Sequence, residues 1–191
     1  MSKKIIITGG IASGKSTVIE ALKQSIPEFE FFNFDDYTRS LYKLPEVEKF
    51  LIDHFGTTDR TIISDIVFSE NAKRKALDNF FAPKIISALS VLLASQDDII
   101  IEMPLFHSLW YSHYNGHIRS LWTDECKVIT VGCDDNVRVN RIVKRNGFDK
   151  QKAWAIINSQ LSLEQQLQFT NLFVDTQREI NYNKLSKFIR G

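Results

Sequence analysis

The chain has 191 residues, which is enough for one well-buried domain and short for two independent ones. A composition of 43% hydrophobic and 25% charged residues excludes a disordered chain, and the apolar residues do not form a run that would suggest a membrane span. The net charge of +1 offers no general attraction for nucleic acid, and the N-terminus lacks the pattern of a secretory signal, so we expect a cytoplasmic protein with neither nucleic acid nor a membrane as partner.

The N-terminal segment predicts a strand, a helix and a second strand. Residues 3–8 carry three consecutive isoleucines, which is typical of a parallel strand buried on both faces. Apolar residues recur at helical spacing from Lys15 to about Ser25, and Pro27 ends this pattern. Residues 29–34 are rich in aromatic side chains and predict the second strand. Polar groups at its carboxyl end would lie where ligands usually bind.

The rest of the chain predicts a helical insertion and three further strands. Residues from about 40 to 95 show helical patterns, with Pro45, Gly56 and Pro83 as breaks and an amphipathic stretch over residues 71–93. Helix-length segments separate the remaining strands, predicted at residues 98–102, 127–132 and 172–174. Right-handed crossovers between such strands predict an α/β fold of three layers around a central five-stranded parallel sheet. We expect one domain over residues 1–191, with its core at 1–39, 96–137 and 161–191.

The motif that carries chemistry is GGIASGKS at residues 9–16, here called the phosphate loop. Its glycines let backbone N–H groups surround phosphate oxygens, Lys15 would reach the β- and γ-phosphates, and the Ser16 hydroxyl would bind Mg²⁺. A chance glycine-rich turn is the alternative, but the flanking strand and helix favour phosphate binding. The motif predicts that a nucleoside triphosphate such as ATP is bound by Gly9, Gly10, Ile11, Ala12, Ser13, Gly14, Lys15 and Ser16. Mg²⁺ is the expected cofactor, with Ser16 as its ligand.

A phosphate loop by itself does not separate a kinase from a GTPase or a motor ATPase. The nearest match to a guanine-reading motif, residues 183–186, lacks the required Asp. Asp35 follows the second strand and could accept the proton of a hydroxyl that attacks the γ-phosphate. On position alone, capping of the next helix is an equally good interpretation.

Three arginines predict a lid. Arg138, Arg141 and Arg145 have i, i+3, i+7 spacing, so they share one helix face and could close on the triphosphate during transfer. A solvated basic face is the alternative interpretation. Gly147 would serve as a hinge, and we expect the lid at about residues 138–160.

Residues 106–114 are rich in aromatic rings and histidine, which raises the question of a metal site. The positions of His107, His113 and His117 do not fit a helical zinc site, so the segment predicts a wall for an organic substrate or simple packing. Cys126 and Cys133 have no paired spacing and are expected to be plain thiols.

In chain order, these segments resemble the dephospho-coenzyme A kinase family over nearly the whole chain. Residues 8–17 are similar to that family's phosphate loop, which adds Thr17 to the nucleotide-binding residues, although Ala12 stands where Gly is usual. NFDDYTR at residues 33–39 resembles the family segment Asp-Ala-Asp-x-x-Ala-Arg, and MPLF at residues 103–106 resembles Val-Pro-Leu-Leu. The lid pattern is matched by Arg141, Arg145, Asn146, Gly147 and Gln160.

The resemblance implies transfer of the γ-phosphoryl group of ATP to the ribose 3′-hydroxyl of dephospho-CoA, giving CoA and ADP. It implies a small-molecule substrate, dephospho-CoA, held by the helical insertion, and we expect a monomer or weak homo-oligomer. The residues implied in catalysis are Lys15, Asp35, Arg141 and Arg145. Those implied in substrate binding are Asp35, Arg39, Pro104, Leu105 and Phe106.

Several residues depart from the family pattern, namely Asn33, Ala82, Ser108, Arg138, Asn171 and Thr176. Arg138 stands where Gln is common, and Thr176 replaces an Asn that the family uses around the adenine, which affects nucleotide selectivity. Two alternatives therefore stay open. One is a nucleoside or nucleotide monophosphate kinase of similar architecture, and the other is a regulatory protein that binds ATP without transferring it.

Overall fold

The computed structural model describes residues 2–104, 106 and 126–191. Two compact units make up the chain. The first, here the core unit, comprises Met1–Asn33 and Leu92–Gly191, and the second, here the helical unit, comprises Phe34–Val91. The helical segment predicted at 40–95 therefore corresponds to a unit that begins six residues earlier, at the start of a helix.

A parallel sheet forms the centre of the core unit. The described residues contribute five strands, β1 (Lys4–Thr8), β2 (Glu30–Asn33), β3 (Ile99–Glu102), β4 (Cys126–Gly132) and β5 (Leu172–Asp175). Their order is β2-β3-β1-β4-β5, with every neighbouring pair parallel. All residues of β1 are buried, as its isoleucine run predicts for a central strand. The predicted α/β fold with a five-stranded parallel sheet is confirmed.

Helices pack against this sheet and form the separate helical unit. In the described residues they are α1 (Lys15–Ser25), α2 (Phe34–Leu41), α3 (Pro45–Phe55), α4 (Arg60–Ser69), α5 (Asn71–Ala94), α6 (Asp135–Asn146), α7 (Lys150–Asn158), α8 (Leu163–Leu167) and α9 (Tyr182–Arg190). Helices α1 and α9 cover one face of the sheet, where Leu22 and Ile189 pack with Ile5 and Ile7. This packing fixes the start of α1, and therefore the phosphate loop before it.

The helical unit has its own apolar core, with Val47, Leu51, Ile63 and Phe81 at its centre. Pro45 is the first residue of α3, and Gly56 ends that helix with a φ of 71°, so both predicted breaks are confirmed.

Helix α5 covers the amphipathic stretch predicted over residues 71–93 and differs from the expectation at Pro83. Pro83 was predicted as a break but lies inside α5, which continues from Asn71 to Ala94. A proline removes one helical hydrogen bond, and the remaining bonds of this 24-residue helix outweigh that loss. By length and composition α5 is also long and apolar enough to cross a membrane.

Candidate active site

The phosphate loop leaves β1 at the carboxyl edge of the sheet and ends in the first turn of α1. Gly9 makes the turn with a φ of 144°, a backbone conformation that residues with a side chain rarely adopt. A Cβ at Gly9 would lie 2.0 Å from the carbonyl oxygen of Val131 on β4. The close approach of the loop to β4 therefore requires glycine at this position.

We expect Gly9→Ala to destabilise the fold by about 3 kcal/mol, because the clash is with backbone and the φ is unfavourable. Gly147→Ala is the matched control in the same unit: its φ of 68° is also left-handed, but a Cβ there meets nothing within 4 Å. The control should lose only about 1 kcal/mol. Urea unfolding measures both. Equal losses would contradict the close approach at Gly9.

Three carbonyl groups of the loop accept hydrogen bonds from side chains of other segments. Ile11 O accepts from Arg138 Nε at 3.0 Å, Ala12 O from Arg141 Nη1 at 3.1 Å, and Ser13 O from Thr176 Oγ1 at 2.7 Å. In a trans peptide the N–H points opposite to the C=O, so the N–H groups of Ala12 and Gly14 point away from the side chains that bind the Ile11 and Ser13 carbonyls. Backbone N–H groups that are left available in such a loop can bind phosphate oxygens.

The side chain of Lys15 closes the start of the loop. Its Nζ donates to Gly9 O at 2.7 Å and to Gly10 O at 3.0 Å. The ammonium group therefore places a positive charge at the loop. This placement agrees with the prediction that Lys15 meets phosphate oxygens, which stays a prediction.

The three arginines of helix α6 differ in burial and in hydrogen-bond partners. Arg138 is buried and bonds to Ile11 O, while half-buried Arg141 bonds to Ala12 O. Arg145 is exposed, and its Nε donates to the neighbouring Asn146 at 3.0 Å. The structure thus brings Arg138 and Arg141 to the phosphate loop and leaves Arg145 in solvent. Helix α6 begins at Asp135, before the predicted lid boundary.

The sequence indicated Thr176 as a departure near the adenine but did not predict its contact with the phosphate loop. Besides donating to Ser13 O, its hydroxyl oxygen accepts from Arg141 Nη1 at 3.1 Å, and the same nitrogen lies 3.3 Å from Cys133 Sγ. The usable signal was its position directly after β5, at the edge where the phosphate loop lies. Both cysteines are buried and free, as predicted, and burial raises the pKa of Cys126 to about 12.

Ala12 is strained by comparison with a glycine. It has a φ of 57° and is the one non-glycine residue with positive φ in the part of the chain that the structure describes. A left-handed backbone costs an alanine about 1–2 kcal/mol. This conformation explains why glycine suits the position.

Asp35 and Arg39 lie in the helical unit, on α2. Asp35 is exposed in the first turn, where a carboxylate interacts favourably with the helix dipole. Arg39 is also exposed and pairs with Asp36 at 2.8 Å. The structure is consistent with either interpretation of Asp35, the catalytic one or the helix-stabilising one.

The predicted substrate residues after β3 are described in part. Pro104 follows the strand in a turn, and Phe106 is buried, with its N–H donating to Met103 O at 3.2 Å. Leu105 lies outside the described residues, as do His107, Ser108, His113 and His117. Glu102, the last residue of β3, accepts a hydrogen bond from Asn33 Nδ2 at 2.6 Å. Asn33, which departs from the family pattern, therefore has a hydrogen-bond partner in the core unit.

For a magnesium ion, the relevant observation is the position of Ser16. Ser16 is exposed in the first turn of α1, so its hydroxyl oxygen is accessible to a hydrated cation. Mg²⁺ prefers hard oxygen ligands and keeps several waters, together with substrate phosphates. Ser16 therefore fits the ion. The described residues contain no cluster of three or more His, Cys, Asp or Glu side chains that could hold a metal alone.

Comparison with known proteins adds independent information. Residues 4–181 match the family model for dephospho-CoA kinase. The dephospho-CoA kinase of Fusobacterium nucleatum is 28% identical, with 98% of each chain covered, and that of Lactobacillus johnsonii is 30% identical over 83% of this chain and 81% of the relative.

Two solved structures are similar over the whole chain. TT1252 from Thermus thermophilus has a TM-score of 0.69 at 23% identity and covers 100% of this chain and 96% of its own. A dephospho-CoA kinase from Campylobacter jejuni has a TM-score of 0.58 at 22% identity, covering 100% and 94%. At these identities the likeness confirms the fold.

Proposed function

The chain belongs to the dephospho-CoA kinase family, and we propose that it transfers the γ-phosphoryl group of ATP to the ribose 3′-hydroxyl of dephospho-CoA. The bond between the γ-phosphorus and the bridging oxygen of ATP breaks, and a new bond joins that phosphorus to the 3′-oxygen. The products are CoA, ADP and the proton of the hydroxyl. The observation that carries the proposal is the phosphate loop, with the carbonyl groups of Ile11, Ala12 and Ser13 held by side chains of other segments, in a chain that matches the family along most of its length.

On the donor side, residues 9–17 bind the phosphates of ATP through backbone N–H groups and the N-terminus of α1. Lys15 places a positive charge where negative charge accumulates on the transferring phosphoryl group. Arg141 is near enough to the loop, through its bond to Ala12 O, to contribute to the same stabilisation. Arg145 is exposed, so its proposed catalytic role requires a different side-chain position from the one it has here.

On the acceptor side, Asp35 accepts the proton of the 3′-hydroxyl, and Arg39 binds an anionic group of dephospho-CoA. Pro104, Leu105 and Phe106 contact the acceptor in the same proposal. Phosphoryl transfer is largely dissociative, so positioning and charge stabilisation should matter more than the base.

The Ser16 hydroxyl would hold Mg²⁺, which when bound offsets the negative charge of the β- and γ-phosphates. The proposal also includes a cytoplasmic location and a chain that acts as a monomer or weak homo-oligomer.

The test measures ADP formation with ATP, Mg²⁺ and each of several acceptors. We expect dephospho-CoA to stimulate ADP formation strongly, and chelation with EDTA to abolish it until Mg²⁺ is restored. Nucleoside monophosphates in the same assay identify a nucleotide kinase. ATP binding without acceptor-stimulated turnover identifies a regulatory ATP-binding protein, and no stimulation by dephospho-CoA would overturn the substrate assignment.

A further inference from the structure

Arg138 is a buried charged residue of the core unit. It is only 4% exposed, although arginine is rarely buried without partners. All three of its nitrogens are engaged: Nε with Ile11 O at 3.0 Å, Nη1 with Asp135 at 2.7 Å, and Nη2 with Gln160 Oε1 at 2.8 Å. A buried guanidinium with these bonds is held in one orientation.

Two of the side chains in this network hold the backbone N–H and the backbone C=O of Ile11 in the phosphate loop. Gln160 Oε1 accepts from the Ile11 N–H at 2.9 Å, while Arg138 donates to the Ile11 C=O. The same Gln160 oxygen links the two bonds, because it also accepts from Arg138. Both backbone groups of one loop residue are therefore set by side chains from α6 and from the segment after α7.

The guanidinium also packs closely against the loop backbone at Gly10. A Cβ at Gly10 would lie 2.2 Å from Arg138 Nη2, so this side chain is in close contact with the loop backbone. Since its nitrogens are engaged and its surface is covered, Arg138 does not meet solvent. It can influence a nucleotide through the loop rather than by direct contact.

We infer that Arg138 is a positioning residue that holds the phosphate loop in its phosphate-accepting conformation and so sets the affinity for ATP. The inference rests on the proposed function, since it takes the loop as the ATP site. Without Arg138, the Ile11 carbonyl would be free to rotate, and the N–H of Ala12 would rotate with it because the peptide is planar. ATP would then have to order the loop on binding, which weakens affinity.

The test uses Arg138→Met, which keeps an unbranched apolar stem but removes the guanidinium and its hydrogen bonds. A hydrogen bond to a charged group changes an equilibrium by about 10- to 100-fold, and we expect calorimetry to show an increase of that size in the Kd for ATP. The kcat at saturating ATP and the KM for dephospho-CoA should change by less than about threefold. Arg138→Lys, which keeps the charge but not the fork geometry, should give only partial rescue.

Gln160→Met supplies the second measurement. Because Gln160 Oε1 is shared between Ile11 and Arg138, the effects of the two Met substitutions on ATP affinity should be less than additive in a double-mutant cycle. If the effects of the two substitutions on ATP affinity are additive, Arg138 and Gln160 act independently on the loop and the inference that they hold Ile11 together is wrong.

Lys144→Met is the control, because Lys144 is an exposed residue of the same helix to which no role is assigned. It should leave the Kd for ATP unchanged. If Arg138→Met only lowers the melting temperature, with an unchanged Kd for the folded fraction, Arg138 is structural and the inference fails. Calorimetry needs no acceptor, so a wrong acceptor assignment would appear in the ADP assay and leave this result intact.

Discussion

Lys15→Ala should lower kcat/KM for phosphoryl transfer by at least about a thousandfold, because it removes the positive charge from the site of developing negative charge. The substitution also removes the bonds from Nζ to Gly9 O and Gly10 O. Those two carbonyls lie at the start of the loop, so ATP affinity should fall together with kcat. Initial-rate measurements over a range of ATP concentrations separate the two effects.

Lys23→Ala is the control for this prediction. Lys23 lies on the same helix but near its other end, where it is exposed and pairs with Glu20 at 3.8 Å. An exposed pair of this kind contributes little to stability, so the control should keep wild-type kinetics and fold. Circular dichroism should show that Lys15→Ala is also folded. If folded Lys15→Ala keeps more than about a tenth of the activity, the loop is not the phosphate site.

Asp35→Asn should lower kcat by about a hundredfold and leave the Kd for ATP nearly unchanged, because it removes a proton acceptor but no donor-side contact. The amide has almost the shape of the carboxylate, so packing is preserved. The kcat effect should be smaller than that of Lys15→Ala, since a dissociative reaction depends more on charge stabilisation than on the base.

Asp36→Asn is the matched control, since both carboxylates lie in the first turn of α2. If Asp35 serves only the helix dipole, the two substitutions should cost similar stability, about 0.3–1 kcal/mol each, and neither should change kcat. If Asp35 is the base, only its own substitution lowers kcat strongly. Asp36 also pairs with Arg39, so its loss is expected to raise the KM for the acceptor if Arg39 binds it.

Much of the fold could be predicted from local patterns. The isoleucine run of β1, the span of α1 and the breaks at Pro45 and Gly56 were each correct to within a residue or two. Pro83 was not, because a proline's local preference against helix was outweighed by the rest of α5.

The sequence alone determined the phosphate loop, the parallel α/β fold and the resemblance to a kinase family, since each depends on residues close together in the chain or on a motif. Only the tertiary structure decided which side chains hold the loop. Arg138 reaches Ile11 across 127 positions, Arg141 reaches Ala12 across 129, and Thr176 reaches Ser13 across 163. Helical spacing placed the arginines on α6 together, but burial and hydrogen bonding separated them, because a helix face does not specify which of its residues meets another part of the chain.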